Sequence, residues 1–122
     1  MIVVEQIRIV HFPDDAHTRI ALMPEDLERM ATSRALVTDP ATVASLAALI
    51  QRMPAAENED AVPDCRWGAS LCNRNGYALR SVYLDRFGRR AVIDGRPASV
   101  LATPVVRALA RALRDLPRYR CR

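Results

Sequence analysis

The chain has 122 residues, half of them hydrophobic, with few aromatics and a formal charge of +4. That size fits one domain around an aliphatic core, and its longest mainly apolar run, Val43 to Ile50, is far short of the ~20 residues of a membrane-spanning helix. All eighteen cationic side chains are Arg and none is Lys, which excludes lysine-based chemistry.

The charge is split along the chain. Residues 1–60 hold five Arg against ten acidic residues, a net −5, and residues 61–122 hold thirteen Arg against four, a net +9. Such a chain pairs its halves internally, associates head to tail, or offers its basic half to an acidic partner. No basic segment followed by an apolar one opens the chain, so a cytoplasmic location is expected, or a periplasmic or secreted one if a leader has been removed. The three Cys match no zinc or disulfide pattern.

Ile2 to Phe12 is rich in Ile and Val and reads as a strand, with Ile7 and Ile9 on one face and Val4, Gln6, Arg8 and Val10 on the other. Pro13-Asp14-Asp15 signals a turn, and His17 to Met23 alternates loosely enough for a second strand. Pro24-Glu25-Asp26 suits a first helical turn, with a short helix over 25–31. Ala35 to Thr38 is a short strand or connector. Asp39-Pro40 opens a helix over about 40–53, whose stripe is Val43, Leu46, Ile50 and Met53. Residues 55–60, polar and acidic, read as an exposed loop.

From Cys65 to Asp94 the pattern is a three-stranded antiparallel meander (about 65–93). Asn75-Gly76 is read as a two-residue type I′ turn. That register sets Cys72 opposite Leu79, Ser70 opposite Ser81, Gly68 opposite Tyr83, and Arg66 opposite Asp85 in an ion pair. Trp67, Ala69, Val82 and Leu84 then form the core face, and Tyr77, Leu79 and Tyr83 share the other, a candidate binding surface. Cys65 and Cys72 lie about 23 Å apart on one strand, beyond disulfide reach. After a turn at 94–97, Thr103-Pro104 opens a helix over about 104–116 with Val106, Leu109, Leu113 and Leu116 as its stripe, and residues 117–122 are a short basic tail. The fold expected is one α+β domain: an antiparallel sheet with the two amphipathic helices packed mainly on one face.

Three constellations carry chemistry. Arg107, Arg111, Arg114 and Arg118, spaced four, three, four, line the helix face away from the leucines. Guanidinium groups in a row meet carboxylates or phosphates. His11 and His17 flank two carboxylates and offer imidazole ligands for a transition metal. The Tyr77, Leu79 and Tyr83 face is the third. No phosphate-cradling glycine loop, nucleophile elbow or zinc-protease helix occurs, and no cofactor is expected.

The reading is a small, soluble, non-enzymatic protein-binding module, with an inhibitor- or immunity-like role fitting its size by analogy alone. The alternatives are sequence-tolerant nucleic-acid or anion binding through the Arg-rich half, and a metal-dependent activity at His11 and His17.

Overall fold

The computed structural model describes residues 3–13 and 21–115. These residues build β1 (Gln6–His11), α1 (Pro24–Met30), β2 (Ser33–Val37), α2 (Pro40–Gln51), β3 (Ala55–Glu57), β4 (Trp67–Cys72), β5 (Ala78–Leu84), β6 (Arg90–Ile93), β7 (Arg96–Val100) and α3 (Thr103–Asp115). Seven strands form one open sheet in the order β2-β1-β4-β5-β6-β7-β3, every neighbouring pair antiparallel. The α+β architecture matches the expectation, and the meander β4-β5-β6 is its centre.

One sheet face carries Ile7, Ile9, Val37, Trp67, Ala69, Leu71, Val82, Leu84, Ala91, Ala98 and Val100, all buried against α2 and α3. The buried stripe of α2 is Val43, Leu46, Ala47 and Ile50; Met53, expected as its last member, lies past the helix end at Gln51 and still joins the core. Asp39 caps it: one carboxylate oxygen accepts from Thr42 N–H at 3.0 Å and from its hydroxyl at 2.8 Å. Those bonds favour the anion and hold the Asp39 carboxyl below its ordinary range.

The opposite face is covered by α1. Leu27 packs on Val10 and Cys65, with Tyr83, Phe12 and Ala31 around them. Helices therefore sit on both sides of the sheet, α2 and α3 on one and the shorter α1 on the other.

The turn at Asn75-Gly76 differs from the expected one. Strand pairing follows the predicted register from Trp67↔Leu84 to Leu71↔Arg80 and then shifts, so that Cys72 faces Ala78. Gly76 has φ +86°, but Asn75 is not among the residues with positive φ, so a type I′ turn is ruled out. Instead Gly76 N–H bonds to Asn73 O and Asn73 N–H to Tyr77 O, both at 3.0 Å. The Asn73 side chain accepts from the N–H groups of Asn75 and Tyr77. This is a three-residue loop closed by a left-handed glycine. The type I′ geometry lies two hairpins later: Asp94 (φ 49°) and Gly95 (φ 86°) join β6 to β7, with Ile93 opposite Arg96.

Other boundaries are corrected by contacts the local pattern does not contain. Residues 55–57, expected as loop, pair as β3 with Val100, Ser99 and Ala98 of β7. Residues 21–23 are not a strand; Leu22 is tied to the 64–65 loop through Asp64 Oδ1 and Cys65 N–H, both at 2.8 Å. The remainder of the expected strand, at 17–20, lies outside the described residues, as do Leu116 and the tail.

Helix α3 begins at Thr103, because Val106 N–H reaches Ala102 O at 3.0 Å. The Thr103 hydroxyl is turned to Phe87 O at 3.2 Å and serves the β5–β6 turn rather than a cap. The buried stripe of α3 is Val105, Leu109 and Ala112; it keeps Leu109 of the expected stripe and takes Val105 and Ala112 in place of Val106 and Leu113, which are half-buried at its edge. Cys65 and Cys72 are free thiols, both buried.

Candidate functional site

Alternation along a strand sends odd-numbered side chains of β1 and β4 to the same face. His11 is the last residue of β1 and pairs directly with Trp67, the first of β4. Their rings stack with centroids 3.9 Å apart and planes 28° apart. The C-terminal half of α3 passes over this end of the sheet. A groove of about 490 Å³ results, lined by His11, Trp67, Arg107, Ala110, Arg111, Leu113 and Arg114. This is within the usual size of a ligand cleft, roughly 300–1,000 Å³.

Two residue sets read separately in the sequence meet here. His11 was singled out with His17, and the arginines as a helix stripe; the pairing of β1 with β4 brings His11 to the stripe. Trp67, read only as core, forms the floor and is 4% exposed. Its indole Nε1 is buried with no acceptor among the described residues. A buried donor left unpaired costs about 1–3 kcal/mol. His17 and Arg118 lie outside the described residues, and no group of three or more His, Cys, Asp or Glu among the described residues is placed to hold a metal.

The electrostatics of the groove set it apart. Several acidic residues elsewhere pair with arginines: Glu5 with Arg74 at 3.2 Å, Glu28 with Arg8 at 2.6 Å, Asp26 with Arg29 at 3.3 Å and Asp64 with Arg66 at 2.8 Å. Looser pairs join Asp94 to Arg80 at 3.8 Å and Glu57 to Arg96 at 4.0 Å. Arg66 bonds Asp64 and Pro13 O, in place of the Asp85 pair expected from the register. Asp85 instead accepts from the N–H groups of Arg89 and Arg90 in its turn. Arg107, Arg111 and Arg114 are exposed and make no hydrogen bond or ion pair with any described residue. Three arginines thus line one cleft without an ion pair to any described residue.

The Tyr77, Leu79 and Tyr83 set is not brought together as one surface. Tyr77 is in the β4–β5 loop and 71% exposed, and Leu79 falls at the register shift. Tyr83 lies half-buried under α1, where its hydroxyl donates to Glu28 Oε2 at 2.6 Å. Arg8 donates to both oxygens of the same carboxylate, and Arg34 bonds the Glu28 carbonyl. Burial pulls the Glu28 carboxyl upward, but the bonds from Arg8 and Tyr83 outweigh it and hold the group below its ordinary range. Burial, then the bond to Glu28, push the Tyr83 phenol well above its own. Burial likewise raises the Cys65 thiol to about 12, which keeps it protonated and inert. This cluster anchors α1 to the sheet and leaves no reactive nucleophile.

No helix among the described residues is long and apolar enough to cross a membrane. No protein-family model, curated protein or solved structure matches the chain.

Proposed function

We propose that this protein is a non-enzymatic binding module whose arginine groove receives an acidic segment of a partner protein. The observation that carries the reading is that Arg107, Arg111 and Arg114 line one cleft with Trp67 and His11 and pair with no carboxylate among the described residues. Guanidinium forks bind carboxylates in bidentate fashion.

The extent of the charge favours a short acidic segment over nucleic acid. The arginines span eight residues of α3, seven rises of about 1.5 Å or roughly 10 Å. Single-strand binding wants a longer basic track with exposed aromatic platforms, and the groove's aromatic residue, Trp67, is buried.

Trp67 is the only tryptophan, so its fluorescence reports on the groove. Titration with an oligoglutamate peptide should give a saturable change that weakens as salt is added. The combined variant Arg107→Gln, Arg111→Gln, Arg114→Gln should abolish it. If the triple variant binds as well as the parent, the groove is not the site. If oligothymidylate binds more tightly than the peptide, the nucleic-acid reading replaces this one.

A further inference from the structure

We propose that the open edge of β2 takes an extended acidic segment of that partner as an added strand, feeding it into the arginine groove; this rests on the reading of the groove given above. The sheet ends in β2 on one side and β3 on the other. The two edges differ in what they offer.

β3 is three residues long, follows Pro54, and leads into Glu57, Glu59 and Asp60. Short length, a neighbouring proline and carboxylates blunt an edge, and these carboxylates repel an acidic strand. β2 is longer, and Asp39 and Pro40 come only after its end. Its five residues, Ser33 to Val37, pair one for one with β1, without a bulge, proline or glycine. Its outer row of N–H and C=O groups has no strand partner among the described residues. Strand addition to such an edge supplies main-chain hydrogen bonds for affinity and alternate side-chain contacts for specificity.

Position and charge select the occupant. Ser33 pairs with His11, so the start of β2 adjoins the groove. A strand added outside β2 lies about 10 Å from β1, two strand spacings, within reach of long side chains. Helix α3, which carries the groove arginines, packs on β2. On the opposite face β2 shows Arg34, which bonds the Glu28 carbonyl, and the half-exposed Leu36. A second copy of this chain, paired β2 to β2 about a two-fold axis, sets arginine-rich α3 helices toward each other. An acidic strand meets them with opposite charge.

The test uses a capped peptide of alternating Glu and Val, which places all its carboxylates on one face. Two further versions carry N-methyl groups on either the Glu or the Val residues. A strand presents alternate N–H groups to its neighbour. One methylated version should therefore bind like the parent, and the other should bind about tenfold or more weakly. The outward-facing amides among Ser33 to Val37, those not bonded to β1, should gain hydrogen-exchange protection with the parent peptide. If both methylated versions bind like the parent, yet all three lose binding in the triple Gln variant, strand addition is overturned and the groove reading stands. If the triple variant binds the parent peptide unchanged, the groove reading fails, and protection of the β2 amides alone then upholds or overturns the edge. No binding of the parent at low salt overturns both. A concentration-dependent dimer that protects the β2 amides without peptide overturns the acidic occupant in favour of a second copy.

Discussion

Glu28 is where α1 is held to the sheet. Its carboxylate accepts from Tyr83 and from Arg8, and Arg34 bonds its carbonyl. Replacing it by Gln keeps the shape but removes the charge that both partners meet. We expect a loss of about 1–2 kcal/mol in urea denaturation, the exposed Arg8 share being reduced by solvent screening. The carboxyl sits below its ordinary range in the folded protein, so its contribution is complete above the unfolded carboxylate pKa and is lost as pH falls through the folded value. The Gln variant should therefore show a flatter acid limb of stability against pH. An acid limb unchanged from the parent counts against this account of α1. Gly76 is the second informative residue. Its φ is +86° and a Cβ there meets nothing within 4 Å, so Gly76→Val costs conformational strain alone, about 1–2 kcal/mol. An unchanged midpoint in the same denaturation measurement would contradict the left-handed closure of that loop.

At the scale of the element, α3 separates its structural side from its binding side. Leu109 is fully buried in the core, and Leu109→Ala should cost about 2–5 kcal/mol. The three arginines have no partner among the described residues, so changing each to Gln should move stability by no more than about 0.5 kcal/mol. Thermal or urea unfolding of the two variants side by side checks the division. Unfolding of the triple variant would mean that the arginines support the fold, contrary to their exposure and their lack of a partner among the described residues. The helix pattern identified α3 and its charged stripe from local spacing. It placed two members of the apolar stripe one residue off, because Val106 and Leu113 are apolar but lie at the margin of the contact, while Ala112 is small enough for close approach to the sheet.

At the scale of the whole molecule, the strand order explains how distant segments depend on each other. β1 is the first strand in the chain but lies inside the sheet, between β2 and β4. Both of its faces are used, Ile7 and Ile9 against α2 and α3, and Val10 against α1. Removing residues 1–11 should therefore abolish cooperative unfolding rather than trim an edge. Circular dichroism during heating checks this: a retained sharp transition would show that β1 is dispensable. The split charge has a whole-molecule consequence as well. Glu5–Arg74 and Glu57–Arg96 join the acidic first half to the basic second half, while the α3 arginines form no ion pair with a described residue.

What the sequence by itself determined was local. Alternation identified β1 and both of its faces, capping and stripe spacing placed α2, and the hairpin signal set the β4–β5 register over most of its length. Those features depend on neighbours a few residues away, or on a short turn that links two strands directly. The tertiary structure alone decided that β1 pairs with β4, that residues 55–57 become a strand against β7, and that α1 covers the face of Tyr83. It also decided that His11 and Trp67 meet the α3 arginines. Each of these joins segments far apart in the chain through backbone ladders and packing, and ladder hydrogen bonds place no demand on residue type that a periodic pattern can reveal.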